Sequence, residues 1–184
     1  MRPESTLSVR RELLHPTLNR LGPMWSHGTL AAMKTIFLDI DGVLHPSTVG
    51  ELEYGPEGPV VIGPGVCARQ DKLAGIVTGK AVEIAVHSTW IYMFDAVILR
   101  SMYLPRLDAV ASIKLTNRRI ESRALRILDY VRRRHISAND YLILDDAPRE
   151  FSSTPDLLSR LVVCDPARGV DDPRVISCIE EFLR

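Results

Sequence analysis

Apolar residues along this chain fall into short runs separated by longer stretches with helical spacing. Ile36 to Leu38, Ala81 to Val86, Tyr141 to Leu144 and Leu161 to Val163 are runs of strand length rich in β-formers, and Ala109 to Ile113 is a further candidate. Pro64 to about Thr78 carries Val66, Leu73 and Val77 among its apolar positions, with the proline near its start, where a helix tolerates one. Ile91 to about Met102 reads as a second helix. Arg118 to Arg134 gathers Ile120, Leu125, Leu128 and Val131 close to one stripe, with arginines elsewhere. Asp172 to Leu183 is predicted as a closing helix. The order strand, helix, strand, helix, strand, helix, strand, strand, helix predicts an α/β class. It implies a mainly parallel sheet between helical layers, with right-handed connections.

Two stretches break this pattern. From His45 to Gly65 glycines and prolines are dense, with Tyr54-Gly55-Pro56-Glu57-Gly58-Pro59 at the centre, which excludes a regular helix. A loop or small hairpin is expected there, with Val60 to Ile62 as one short strand. Residues 1–32 hold scattered prolines, Arg10-Arg11 and no sustained apolar period beyond a short candidate helix from Ser8 to Leu21. They read as a poorly ordered extension, with a docked or partner-binding helix as the alternative. Met33 directly precedes the first strand, and residues 33–184 read as the folded domain.

Composition adds exclusions. A chain of 184 residues is one domain by size and buries a sizeable core. With 23 basic and 23 acidic residues the formal net charge is zero, so no global electrostatic case for nucleic acid or membrane exists. No apolar run approaches the roughly 18 residues of a membrane span, and the amino-terminal stretch lacks the apolar core of a signal peptide. Cys67, Cys164 and Cys178 show no metal-ligand spacing and read as reduced thiols of a cytoplasmic protein.

Candidate chemistry sits where strands end. Asp39 and Asp41 follow the first apolar run. Residues two apart in an extended backbone point the same way, so both carboxylates would project from the strand's C-terminal end. Gly42 then turns the chain where a side chain would crowd whatever they hold. Ligands of parallel α/β sheets bind at that end. Two close carboxylates repel unless a proton or cation lies between them. An oxygen-rich site suits a hard ion such as magnesium, especially where a phosphate completes the shell. The competing reading is a pair of aspartates that form a turn and cap a helix. The run Tyr141 to Leu144 also ends in acids, Asp145-Asp146, and two strand ends so loaded point to a bound cation. The run Ala81 to Val86 ends in His87-Ser88-Thr89-Trp90, where the serine either serves chemistry or caps the next helix. Lysine occurs only at 34, 72, 80 and 114, which singles out Lys114 just after the candidate third strand.

The stretch Ile36-Phe37-Leu38-Asp39-Ile40-Asp41-Gly42-Val43-Leu44 resembles the first motif of the haloacid dehalogenase (HAD) superfamily. Ser88, a basic residue and Asp145-Asp146 follow in the order of its other motifs. The resemblance covers about residues 34 to 183. It implies a Rossmann-like three-layer α/β/α sandwich without a large cap domain, since the 45–65 stretch is too short for one. It implies that Asp39 attacks phosphorus to form an aspartyl-phosphate, and that Asp41 protonates the leaving oxygen and later activates water. Ser88 would bind a phosphoryl oxygen, with Gly42 and Thr89 beside it. Magnesium would be held by Asp39, the backbone carbonyl of Asp41, Asp145 and, directly or through water, Asp146.

The Ser88-Thr89-Trp90 triplet is similar to that of the HAD domain of Swiss-army-knife RNA-repair proteins, as is the stretch Arg123 to Val131. Ile91 departs from that subgroup, which carries Arg there, and Arg126 stands in place of its Glu. On this alignment Arg123 is the cation that neutralises phosphate and carboxylates, with Lys114 the rival. Arg132-Arg133-Arg134 read as solvated charges at a helix C-terminus. His45 is a substrate contact or a solvated loop residue, and Asp165 a turn former or a neighbour of the metal. The implied activity is magnesium-dependent phosphomonoester hydrolysis, on a nucleotide or nucleic-acid end or on a small metabolite. A domain that binds a phosphorylated ligand without turnover is the alternative. Neither a membrane nor an obligate protein partner is expected.

Overall fold

The computed structural model describes residues 33–56 and 58–184, so the expectations for residues 1–32 lie outside the described residues. In chain order the elements are β1 (Lys34–Leu38), β2 (Glu51–Gly55), β3 (Gly58–Ile62), α1 (Gln70–Val77), β4 (Val82–Val86), α2 (Ala96–Ile98) and α3 (Pro105–Asp108). They continue with β5 (Ser112–Leu115), α4 (Arg123–Arg134), β6 (Tyr141–Asp145), α5 (Pro155–Leu158), β7 (Leu161–Val163) and α6 (Pro173–Phe182). Five strands form one parallel sheet in the order β5-β4-β1-β6-β7, and β2 with β3 makes a separate antiparallel hairpin.

Alternation along the strands builds the layers. Ile36 and Leu38 of β1, Val82, Ile84 and Val86 of β4 and Leu144 of β6 join Leu73, Val77, Leu107, Val175 and Ile179 from α1, α3 and α6. Phe37, Ala85 and Ile143 join Ala124, Ile127 and Tyr130 of α4 and Leu157 of α5 in a second cluster. With both faces covered, the central strands are apolar nearly throughout, as parallel sheets require. The chain is an α/β protein with the Rossmann-like architecture expected of it.

Register places the chemistry. Leu38 pairs with Val86 on one side and Leu144 on the other. The next residues, His87, Asp39 and Asp145, therefore stand level on three neighbouring strands, on the side of Phe37, Ala85 and Ile143 that α4 covers. Strand order also reverses at β1, since β4 and β5 lie to one side and β6 and β7 to the other. That is where parallel sheets open a ligand crevice.

Element boundaries differ from the sequence reading for local reasons. Residues 64–69 are turns because Gly65 and Cys67 take positive φ values, so the first helix starts at Gln70. The expected helix from Ile91 to Met102 is broken into a 3-10 turn at Thr89–Tyr92, α2 and a π-helical turn at Leu99–Tyr103. Asp95 caps α2 by accepting the Ile98 N–H at 2.9 Å, and Pro105 opens α3. The third strand begins at Ser112 rather than Ala109, because Val110 and Ala111 donate to the Leu107 carbonyl and close α3. The long arginine-rich helix begins at Arg123, not Arg118, with Ser122 as its cap accepting the Leu125 N–H.

Two arginines of α4 hold it to the sheet. Arg126 has no exposed surface. It donates from Nη2 to the His87 carbonyl at 2.7 Å, and from Nη1 to the Ile120 carbonyl at 3.3 Å and to the Tyr92 hydroxyl. Arg134, read above as a solvated charge, donates to Glu83 Oε2 at 3.0 Å. Glu83 is buried within β4 and its other oxygen accepts the Tyr130 hydroxyl at 2.6 Å. A buried carboxylate needs such partners. Replacing Arg126 with Ala strands two carbonyls and leaves a void. We expect it to lower stability in urea unfolding by about 3 kcal/mol, whereas Arg133→Ala, at an exposed pair with Asp129, changes it by less than about 1 kcal/mol.

Candidate active site

Asp39 and Asp145 close the sheet row without exposed surface. Asp39 Oδ1 accepts the Ile40 N–H at 2.9 Å. Arg123, in the first turn of α4, places Nη1 between the two acids, 2.5 Å from Asp39 Oδ2 and 2.9 and 3.1 Å from the oxygens of Asp145. Asp145 Oδ1 also takes the Ala147 N–H at 2.7 Å. Asp146 stands beside them, half-buried, and oxygens of Asp39, Asp145 and Asp146 all lie within 4.8 Å of one another. Gly42 makes room for this group. It has φ +71°, and a Cβ there would overlap the Asp146 carboxylate.

Asp41 is held apart from that cluster. Its Oδ1 is 3.1 Å from His45 Nε2 and its Oδ2 accepts the Trp90 indole N–H at 2.9 Å. Ser88 is buried at the end of β4, where its hydroxyl both neighbours Asp39 and accepts the Trp90 backbone N–H at 3.4 Å. The chemical reading and the capping reading of Ser88 therefore coexist. Thr89 is exposed next to it.

Residues 35–175 match the family described as the HAD domain in Swiss Army Knife RNA repair proteins. The chain belongs to this HAD family. No curated protein matches the chain. Against the family's pattern, Ile91 is buried in the apolar cluster, so the position after Trp90 faces the core. The buried guanidinium nearby comes instead from Arg126 on α4, beside Tyr92.

Electrostatics favour a cation among the three acids. Burial pushes the Asp145 carboxyl up to about 7, aided by the Asp39 charge and opposed by Arg123. Burial also raises Asp39 and Asp146, with Arg123 working against the shift in each. Burial works against the Arg123 charge, but Asp39 and Asp145 more than offset it, and Arg123 stays ionised. One arginine against three carboxylates leaves negative charge unbalanced. An all-oxygen donor set around that excess fits a hard divalent cation such as magnesium.

The positions expected from sequence separate clearly. Asp39, Asp145, Asp146, Gly42 and Arg123 come together, with Ser88 adjoining. The Asp41 side chain turns to His45 and Trp90 and is not among the clustered acids. Lys114 does not reach the acids. It lies exposed on the edge strand β5, paired with Ala85. That is two residues, roughly 6.6 Å, short of the His87 row and two strands from β1. Asp165 forms a turn, accepting the N–H groups of Ala167 and Arg168 at 2.8 and 3.2 Å. His45 is fully buried and so is no solvated loop residue.

His87 was not singled out by the sequence reading; the pairing of Leu38 with Val86 puts it level with Asp39. Its Nδ1 is 3.6 Å from Asp145 Oδ2, and neither ring nitrogen has a hydrogen-bond partner among the described residues. Burial, then the charges of Arg123 and Arg126, lower it to about 3, so the ring is neutral.

The raised carboxyls fix the sign of a pH effect. Folded Asp145 keeps, up to about pH 7, a proton that the unfolded chain releases near 3.8. Over that window the folded state binds more protons, so stability of metal-free protein falls as pH rises. We expect the thermal midpoint without metal to drop from about pH 4.5 to about pH 7.5, and Asp145→Asn to flatten the decline. Magnesium should raise the midpoint more at the upper end than at the lower. An equal magnesium effect at both ends would contradict the assignment.

Proposed function

We propose that this HAD domain is a magnesium-dependent phosphomonoesterase with Asp39 as nucleophile, acting on nucleotide or nucleic-acid terminal phosphates. The observation that carries this reading is the buried Asp39–Arg123–Asp145 bridge with Asp146 beside it, two residues from an acid of independent environment, Asp41. Carboxylates in different surroundings divide the work of nucleophile and proton carrier.

Asp39, Asp145, Asp146 and the Asp41 carbonyl would hold magnesium, which neutralises phosphoryl charge and orients the group. Arg123 has Nε and Nη2 without a protein partner among the described residues, and these would donate to phosphoryl oxygens. A carboxylate oxygen of Asp39 attacks phosphorus, the ester P–O bond breaks, and its electron pair leaves on the ester oxygen. Asp41 supplies the proton that oxygen needs. Asp41 then takes a proton from water, whose oxygen attacks the aspartyl-phosphate, releasing phosphate and restoring Asp39. Positioning and charge neutralisation do most of the work in such transfers.

The nucleic-acid end is supported by Arg118 and Arg119 in the turn after β5 and Arg149 in the 3-10 turn Pro148–Phe151 after β6, all exposed and following the C-terminal ends of strands. A second reading, a small-metabolite phosphatase, is favoured by the exposed Glu51 and Glu53 of the hairpin. The hairpin reaches the site through Val61, which donates to Tyr103 at 2.8 Å, and through the contact of Tyr103 with Trp90. Carboxylates there repel a polyanion.

Phosphate release from p-nitrophenyl phosphate, mononucleotides and end-phosphorylated oligonucleotides, with and without magnesium, tests the proposal. Magnesium-dependent turnover abolished in Asp39→Asn is expected. Turnover of oligonucleotides that falls steeply with salt identifies the polyanion, and indifference to chain length favours the metabolite. Magnesium binding without turnover on any substrate would indicate a phosphoryl-binding domain instead.

A further inference from the structure

The Asp41 carboxylate is gripped from both sides by rings that cannot turn. His45 follows it by four residues, pairs with it across an isolated β-bridge and has no exposed surface. The His45 Nδ1 accepts the backbone N–H of Cys67 at 3.2 Å. A ring nitrogen that accepts an N–H carries no hydrogen itself, so in the neutral ring the hydrogen sits on Nε2, 3.1 Å from Asp41 Oδ1. Cys67 delivers its N–H from φ +53°, a conformation that costs a non-glycine residue of order 1 kcal/mol or more. The other grip is Trp90, whose indole can only donate and does so to Oδ2 at 2.9 Å. The Trp90 ring is buried edge-on against Tyr103, with centroids 4.9 Å apart, and tilted against Phe94 at 5.4 Å. Asp41 itself keeps about a third of its side chain open to solvent, 36%.

We propose that His45 and Trp90 are positioning residues for the proton transfers of Asp41, an inference that rests on the phosphatase reading above. Each ring gives one N–H to one oxygen, which fixes the carboxyl plane and leaves one lone pair on each oxygen for proton exchange. When Asp41 passes its proton to the leaving oxygen, that oxygen keeps the electron pair of the broken P–O bond and negative charge appears on Asp41. Both N–H groups already point at that charge, so no reorganisation is needed as it develops. Water then returns a proton to the same lone pair. His45 exchanges no proton, because its Nδ1 is committed to Cys67.

A positioned acid matters in proportion to the basicity of the leaving oxygen, and general acid catalysis contributes about 10²- to 10⁴-fold. The test uses the full chain with magnesium and measures kcat/KM, which covers the steps through P–O cleavage, on p-nitrophenyl, phenyl and alkyl phosphates. His45→Phe and Trp90→Phe keep ring bulk and remove the N–H. Each should lose less than about threefold on the p-nitrophenyl ester and at least about tenfold on the alkyl ester. His45→Gln, which offers an N–H near the Nε2 position, should recover most of that loss. Equal loss on every ester, or no loss, overturns the proposal. Asp41→Asn separates the two levels of inference. If its loss depends on the leaving group while that of the ring variants does not, positioning alone fails; if its own loss is uniform, or the parent protein turns nothing over, the phosphatase reading fails and the positioning role with it. Should His45→Phe not fold, Trp90→Phe and nuclear magnetic resonance decide. The Trp90 indole and His45 Nε2 proton resonances should both move in Asp41→Asn, and unmoved resonances overturn the proposal.

Discussion

Two aspartates without exposed surface stand level on neighbouring strands, and such a pair is tolerated only with a proton or a cation between them. At a separation of about 4 Å the repulsion is of order 4 kcal/mol in an environment of intermediate polarity. Arg123 supplies the first neutralising charge, and much of the surrounding structure serves to bring it there. Ser122 starts α4 at the right residue. One turn later Arg126 ties the helix to the end of β4 through the His87 carbonyl. At the helix's other end Glu83 holds Tyr130 and Arg134, and Phe37 meets Tyr130 edge-on with ring centroids 5.5 Å apart. What Arg123 does not neutralise falls to a proton, as on Asp145 below about pH 7, or to a bound cation. The same imbalance that costs folding energy creates the site.

Much of this was legible in the sequence because it follows from period-two alternation. The runs ending at Leu38, Val86 and Leu144 gave the central strands, and the residues just beyond them gave the acids. The rival cations could not be separated that way. With the third strand placed at Ala109 to Ile113, Lys114 falls just past its end, level with the aspartates; with the strand at Ser112–Leu115, it sits inside and short of them. The shift comes from hydrogen bonds to the Leu107 carbonyl that end α3, and no apolar spacing records them. His45 was illegible for a related reason. In a stretch dense in glycine and proline it looks solvated, and only the turn at Cys67 and the wall formed by Trp90 bury it.

The departures from the family pattern also gain a physical sense. Ile91 is packed in the apolar cluster, and the fully buried cation beside Tyr92 is Arg126, entering from the helix. Its hydrogen-bond partners are carbonyls and a hydroxyl rather than a carboxylate, so it braces the backbone of the β4 end and the loop before α4. Arg123 alone hydrogen-bonds the side chains of Asp39 and Asp145 from α4.

The central claim is that Asp39 becomes covalently phosphorylated, and direct trapping tests it most closely. The full chain would be mixed with a ³²P-labelled monoester and magnesium, quenched in acid during turnover and treated with borohydride, which converts an acyl-phosphate to an alcohol. The account predicts acid-stable label on the protein and homoserine in place of Asp39 in the peptide that spans β1. Turnover with no labelled protein, or label at any other residue, would contradict it.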